Sequence, residues 1–322
     1  MNIPLPKVSI LIPVYNRKDY IADCIQSALD QTISDFEIVI VDNASDDGTW
    51  SICQQFADND SRIRIFRNEH NIGPVRNWIR CAQEARGELS KMLFSDDSLE
   101  PDCVRRMIEP LTNKDVGFVF CAASVGESKE SSSIHNLFRK NCLIEKNRYV
   151  SLLISGRVPV SPGAIILRTR DLLKNLHSNF PTATPRPFDR HGAGPDVMIS
   201  LLTASSYPSV ACICDPLVFF RVHTGSFTVS NANNEVADGY ISAISFYLRY
   251  NESRFLWMQY LVRSWLSEVR RQGYLSNPKT FLRANEGRGS LLEMLAGLAL
   301  IPYCVVSKVV ARVRDKFDRT TS

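Results

Sequence analysis

The chain is expected to fold as an α/β protein, with a mostly parallel sheet flanked by helices and a helical C-terminal extension. Three observations predict it. From Val8 to Cys121 short apolar runs alternate with amphipathic helical patterns, the rhythm of βαβ units joined by right-handed crossovers. Val8 to Val14 reads as one apolar strand, as a strand covered on both faces does. Nearly everything beyond Asn234 reads as helix, with no internal repeat.

Val8 to Val14 is the first strand, bounded by Pro13 and Asn16. Tyr20, Ile21, Cys24, Ile25, Ala28 and Leu29 then recur at three-to-four spacing and make one helix face. Phe36 to Val41 is the second strand. The Ser/Asp-rich turn from Asn43 to Gly48 leads into a helix through Trp50, Ile52, Cys53 and Phe56, and Arg62 to Phe66 supplies a third strand. A fourth unit runs from Gly73 through Val75, Trp78, Ile79 and Ala82 to a strand ending at Phe94. Val116 to Cys121 is a further strand. Between Ser124 and Asn147 the periodicity fails and Ser, Lys and Glu crowd together, which predicts an exposed excursion. Gly163 to Arg168 resumes a strand. Pro181 to Pro195 is a long Pro/Gly-containing loop of the type that covers active sites. A helix through Val197, Ile199, Leu201 and Leu202 follows, and then extended chain from Val210 to Phe220.

Composition excludes several classes. With 322 residues and 44% hydrophobic content the chain can bury a substantial core. A formal charge of +4, dispersed along the chain, does not predict a nucleic-acid partner. The nine cysteines show no zinc-knuckle or redox spacing, and the amino terminus shows no secretory signal, so a reducing cytoplasm is the expected compartment. No G-x-G-x-x-G follows the first strand, which disfavours a dinucleotide-dependent dehydrogenase. A nucleotidyltransferase would show a Gly-rich basic first loop, and IPVYNRKDY has no glycine.

Polar groups gather at the predicted strand tips. Pro13, Tyr15 and Asn16 end the first strand, placing a ring where it can stack on a base. Asp42 and Asn43 end the second, where a carboxylate can accept from a base N–H. Ser95-Asp96-Asp97 follows Lys91-Met92-Leu93-Phe94. Two carboxylates at the carboxyl end of a buried strand suit Mg²⁺ or Mn²⁺, or alternatively an Asp-rich turn that caps the next helix.

The order IPVYN at Ile12 to Asn16, VDNASDDGT at Val41 to Thr49, NIGPVRN at Asn71 to Asn77 and LFSDDSLEPD at Leu93 to Asp102 resembles the family 2 glycosyltransferases. These are inverting nucleotide-sugar transferases of the GT-A, Rossmann-like fold. The resemblance covers roughly residues 7 to 225 and implies a transferase domain over 1–230, followed by an extension over 231–322. It implies a nucleotide-sugar donor, UDP-linked, and a glycan acceptor hydroxyl, as on the lipid-linked intermediates of surface polysaccharides such as O-antigen. Pro13, Tyr15, Asn16, Asp42, Arg76, Asn77 and Asp96 would contact the donor. Asp97 and His223, the latter within a YRxHxGS-like segment from Phe220 to Ser226, would contact a Mg²⁺ or Mn²⁺ ion. Asp196, in Gly194-Pro195-Asp196 at a helix start, matches the catalytic base, with Asp189 the competitor. The departures are Phe94, where relatives carry a further acid, Asn43, where they often carry Asp, and Pro195, where the base is usually preceded by Glu. They keep open a non-catalytic nucleotide-sugar binder.

Leu291 to Val306 is apolar but short of a bilayer span. Val305, Val306, Val309, Val310 and Val313, interleaved with Lys308, Arg312, Arg314 and Lys316, suit three roles: peripheral contact with the inner face of an anionic membrane, core packing, or a homo-oligomer contact.

Overall fold

The computed structural model describes residues 5–181, 188–225, 235–252 and 254–272. Its first half winds outward from a central strand and then crosses back. Strands β1 (Val8–Val14), β2 (Phe36–Asp42), β3 (Ile63–Arg67) and β4 (Leu89–Met92) lie parallel in the order β3-β2-β1-β4. Helices α1 (Ile21–Leu29), α2 (Thr49–Asn59) and α3 (Pro74–Glu84) connect them. The strand order reverses between β1 and β4, so their carboxyl ends flank the crevice where such sheets bind ligands. Register brings Val14 opposite Asp42 and Asp42 opposite Arg67. The strand tips named from sequence therefore share one edge.

The second half departs from a simple parallel continuation. The full order is β3-β2-β1-β4-β9-β6-β10-β5, with β7 (Ser133–His135) on β6 and β8 (Cys142–Glu145) on β10. Strands β6 (Val116–Gly126) and β10 (Ser209–Arg221) follow the direction of the first four. β9 (Ile165–Arg168) runs against both β4 and β6, and β5 (Ser98–Leu99) runs against β10. The predicted excursion from Ser124 to Asn147 contains the tail of β6, two short edge strands and the first two residues of helix α5 (Lys146–Ile154). Its edges are solvated: all three β7 residues are exposed, so no apolar period marks them. Glu145 caps α5 by accepting from the N–H groups of Asn147 and Arg148.

Helices cover both faces. Alternate residues of β1 and β2 divide between the faces, with Leu11, Val39 and Val41 on one side and Ile10, Ile12, Ile38 and Ile40 on the other. The second side is closed by α1, α2 and α4 (Cys103–Ile108). The first is closed by α3, α5, α6 (Thr169–Asn175) and α8 (Pro195–Ser205), and also by α9 (Glu235–Asn251) and α10 (Arg254–Gln272). Ala243, Tyr247, Leu248, Trp257 and Leu261 belong to the same core as Phe118 and Leu201, so the helical extension over its described part is continuous with the sheet's core. Among the described residues no helix is long and apolar enough to cross a membrane. The stripe from Val305 to Val313 and the apolar run from Leu291 lie outside the described residues.

The turn after β2 carries a strained residue. Ala44 has φ 64, in the left-handed region where a Cβ crowds the backbone. The turn is held regardless, by the Ser45 N–H donating to Asp42 Oδ2 at 3.1 Å. Ala44→Gly removes that crowding while loosening the unfolded chain, and is expected to raise unfolding stability by up to about 1 kcal/mol. Urea denaturation checks it: the midpoint should rise at unchanged slope.

Candidate functional site

At the outer end of the crevice, the Asp42 carboxylate is fully buried. Its Oδ2 accepts from Ser45 N–H and pairs with Arg67 Nε at 3.1 Å. Its Oδ1 is buried with no hydrogen-bond partner among the described residues. A buried acceptor left unmade costs on the order of 1–3 kcal/mol, so this atom is where a donor N–H would be most strongly favoured. Pro13 is buried beside it in register with Val41, while Tyr15 at the tip of β1 is 41% exposed and offers a ring at the mouth.

Asn16 and Asn77 both make side-chain contacts within the fold. Asn16 adopts φ 50 and its side chain zips to Asp46, donating to Asp46 Oδ1 at 2.9 Å and accepting from Asp46 N–H at 3.1 Å. Asn77 is buried: its Nδ2 donates to Val41 O at 3.0 Å and its Oδ1 accepts from Asn68. Asn68 also donates to Asn43 Oδ1, and Asn43 donates to Asn71 Oδ1 at 2.8 Å. The Asn77 amide thus fixes the floor of the β2 turn. Arg76, its neighbour on α3, is exposed.

The acidic step sits just beyond β4. Asp96 Oδ2 receives His223 Nε2 at 3.1 Å and Arg17 Nε at 3.4 Å. Because His223 Nδ1 accepts from Gly225 N–H at 3.2 Å, the ring proton belongs on Nε2, which donates to Asp96. His223 therefore meets the acidic step through Asp96, and would have to exchange that bond to touch a cation. Arg17 spans the crevice, its guanidinium donating also to Asn16 O at 3.0 Å and Gly225 O at 3.5 Å. Asp97 is buried and its Oδ1 accepts from Arg221 N–H at 3.0 Å. Burial first, and the Asp96 charge second, push the Asp97 carboxyl well above the ordinary carboxylate range. Among the described residues no three His, Cys, Asp or Glu side chains converge on one point. Two crowded carboxylates nevertheless fit a hard divalent ion whose remaining ligands come from phosphate and water.

Phe94 occupies the position of the family's further acid, and it packs on Trp78 with ring centroids 5.2 Å apart. Trp78 in turn fills the space beside Gly192, where a Cβ would lie 2.2 Å from the indole. Gly192 has φ 72 and leads into α8. An aromatic bridge thus runs from the acidic step to the loop that carries Asp196.

Asp196 lies in the first turn of α8 and is buried. Oδ1 accepts from the N–H groups of Gly194 at 2.8 Å and Val197 at 2.6 Å, and Oδ2 accepts from the Tyr240 hydroxyl at 2.6 Å. Burial raises its pKa to about 6, opposed by those donors, the Tyr240 hydroxyl foremost. It is thus ionised at neutral pH yet close enough to take a proton. Asp189 lies in the short helix α7 (Phe188–His191). The sequence reading did not identify Arg17, Arg67 or Tyr240, and weighed Arg221 only as a structural ion-pair partner. Arg17 directly follows the β1 tip already singled out, and a cation after a strand tip was the signal available.

Residues 9–176, just over half the chain, match the model for glycosyl transferase family 2. The chain belongs to that family, the nucleotide-sugar transferases. EpsH of Bacillus subtilis (strain 168) is 29% identical over 226 residues, covering 69% of this chain and 62% of EpsH, so the chain spans under two thirds of that relative. The S. aureus TarS 1-349 structure with UDP-GlcNAc superposes with TM-score 0.64 at 18% identity, covering 87% of this chain and 81% of that one. A mannosyltransferase from Pyrobaculum calidifontis with GDP-Man and Mn²⁺ superposes with TM-score 0.52 at 19% identity, over 98% and 88% of the chains. At such identities the two structures establish the GT-A fold alone. Asp196, His223 and Tyr240 lie beyond the family-matched span.

Asp196 carries a stability cost with a defined sign. Its folded pKa exceeds the unfolded value, so the native state binds more protons and stability falls as pH rises from about 4 to about 6. Asp196→Asn keeps the shape and removes the ionisation. The variant's stability relative to wild type is expected to rise by roughly 2 kcal/mol between pH 4 and pH 7, as paired denaturant titrations at the two pH values would show.

Proposed function

We propose that the chain transfers one sugar from a UDP-sugar to a carbohydrate hydroxyl with inversion at the anomeric carbon. The observation that carries this reading is the Oδ1 of Asp42, buried and unpartnered among the described residues at the end of β2, the strand paired with the one whose tip carries the exposed Tyr15. Uracil offers one N–H, at N3, with its ring able to stack on the tyrosine. Guanine would present N1–H and N2–H together and match a carboxylate with both oxygens free, but Oδ2 is held by Arg67 and Ser45. Cytosine lacks the N3–H. Uracil therefore fits best, in keeping with the UDP-GlcNAc bound in TarS.

A Mg²⁺ or Mn²⁺ ion held by Asp97 with Asp96 alongside would neutralise charge on the departing diphosphate. The Mn²⁺ in the Pyrobaculum enzyme is consistent with such an ion. Asp196 acts as the base. The acceptor hydroxyl donates to the carboxylate and attacks the anomeric carbon. As the new C–O bond forms, the bond to the diphosphate breaks on the opposite face, its electron pair leaves with UDP, and the proton passes to Asp196. Arg17 holds the β1 tip, Asp96 and the Gly225 carbonyl together, keeping the diphosphate end of the crevice in one shape. Pro13 and Tyr15 wall the base pocket, and Arg76 reaches the donor from the solvent side. The acceptor hydroxyl belongs to a glycan under assembly, including one carried on a lipid at the inner membrane face.

Two measurements test this. In a thermal-shift panel of UDP, GDP and CDP with and without Mn²⁺, UDP with Mn²⁺ should give the largest rise, about 3 kcal/mol of stabilisation at a hundredfold excess over Kd. Asp42→Asn should abolish it; a larger response to GDP or CDP would overturn the uracil assignment. Asp196→Asn should lower UDP release from a UDP-sugar panel on the order of 10²–10⁴-fold while leaving UDP affinity intact. Unchanged turnover would remove Asp196 from the mechanism.

A further inference from the structure

An ionised carboxylate offers about four acceptor positions, two on each oxygen. In Asp196 three are filled by the protein. Oδ1 takes Gly194 N–H and Val197 N–H, and Oδ2 takes the Tyr240 hydroxyl. Among the described residues one position is left unfilled, on Oδ2, and its direction is set by where Tyr240 stands.

Tyr240 is held there by its own helix. Its neighbour Gly239 lies so near the loop before α8 that a Cβ would fall 2.4 Å from Ala193 O and 3.1 Å from the His191 ring. Only the missing side chain lets α9 approach closely enough for a 2.6 Å contact. Seven residues on, Tyr247 OH meets Ser205 Oγ at 2.6 Å, tying the far end of α9 to the far end of α8. The two helices therefore run side by side in one direction, clamped by a hydroxyl at each end.

We propose that Tyr240, from the helical extension, is a positioning residue for the base: it holds Asp196 ionised and leaves a single oxygen lone pair for the acceptor hydroxyl. This rests on Asp196 being the base. Among the described residues the titratable side chain that hydrogen-bonds Asp196 is Tyr240 on α9, the His191 ring on α7 lies against the neighbouring Gly239, and Val197, Met198, Ile199 and Ser200 that follow Asp196 on α8 carry no charge. Burial and then the Asp196 charge raise the Tyr240 phenol far above its ordinary range, so the phenol keeps its proton and stays a donor. The transferase domain expected over residues 1–230 would on this view be catalytically incomplete without α9.

The test compares Tyr240→Phe, Tyr247→Phe and Asp196→Asn, following UDP release with the best substrate of a UDP-sugar panel across pH 5 to 9. Losing a hydrogen bond to the charged form raises the pKa of the base, so the acid limb of kcat in Tyr240→Phe should move up by about one unit, with kcat down roughly tenfold and the donor KM unchanged. Tyr247→Phe removes the other helix clamp and should leave the limb in place, which separates positioning from mere helix packing. Should Tyr240→Phe not fold, wild type labelled with 3-fluorotyrosine serves instead. Its more acidic phenol donates more strongly, and the limb should move to lower pH. An unmoved limb in Tyr240→Phe, or in the labelled protein, with Asp196→Asn inactive overturns the role of Tyr240 alone. Wild-type turnover in Asp196→Asn overturns the base assignment, and this inference with it.

Discussion

The Asp96 carboxylate is where the separate segments of the site meet. Its Oδ2 receives Arg17 from the tip of β1 and His223 from beyond β10, and its main-chain carbonyl receives Arg221 Nε at 3.1 Å. These contacts join positions 79 and 127 residues apart in sequence. They are charge-assisted bonds in a partly buried place, stronger than neutral ones and costly to break singly. The crevice owes its shape to them. Arg17 can reach across because β1 and β4 are parallel neighbours with Leu11 opposite Met92, which sets both tips at one height.

That clamp also explains how a chain lacking the third acid of its relatives still organises the region. Phe94 trades a carboxylate for a ring that packs on Trp78, and Trp78 seats Gly192 at the entry to α8. The exchange links the acidic step mechanically to the Asp196 loop. It also leaves Asp97 crowded by Asp96 with no further acid, so the site's charge is better matched to one divalent ion shared with a diphosphate than to a cage of protein carboxylates.

Much of this was legible in the residues. β1 and β2 are buried along all seven positions, and their apolar runs, interrupted only by Ser9 and Glu37, gave their bounds to within a residue. Asp42, Asp96 and Asp97 were legible because a polar residue ending an apolar run can only sit at a strand tip. The direction of β9 was not legible: Ile165–Arg168 is buried throughout and reads alike in either sense. α5 and α6 are short and follow directly on strands, so no turn punctuation announces them. The ladder in which the buried Asn77 amide joins Asn68 to Val41 was not legible, because only the fold assembles it. Tyr240 was invisible for the same reason, meeting Asp196 across 44 residues of chain.

The site's geometry leads to one decisive observation: a crystal structure of the protein with UDP and Mn²⁺, with the metal located by anomalous scattering. The uracil N3–H should donate to Asp42 Oδ1 at about 2.9 Å, and the manganese should lie within about 2.3 Å of an Asp97 oxygen. A nucleotide that leaves Asp42 Oδ1 unpartnered, or a metal bound away from the Asp96-Asp97 step, would contradict the assembly described.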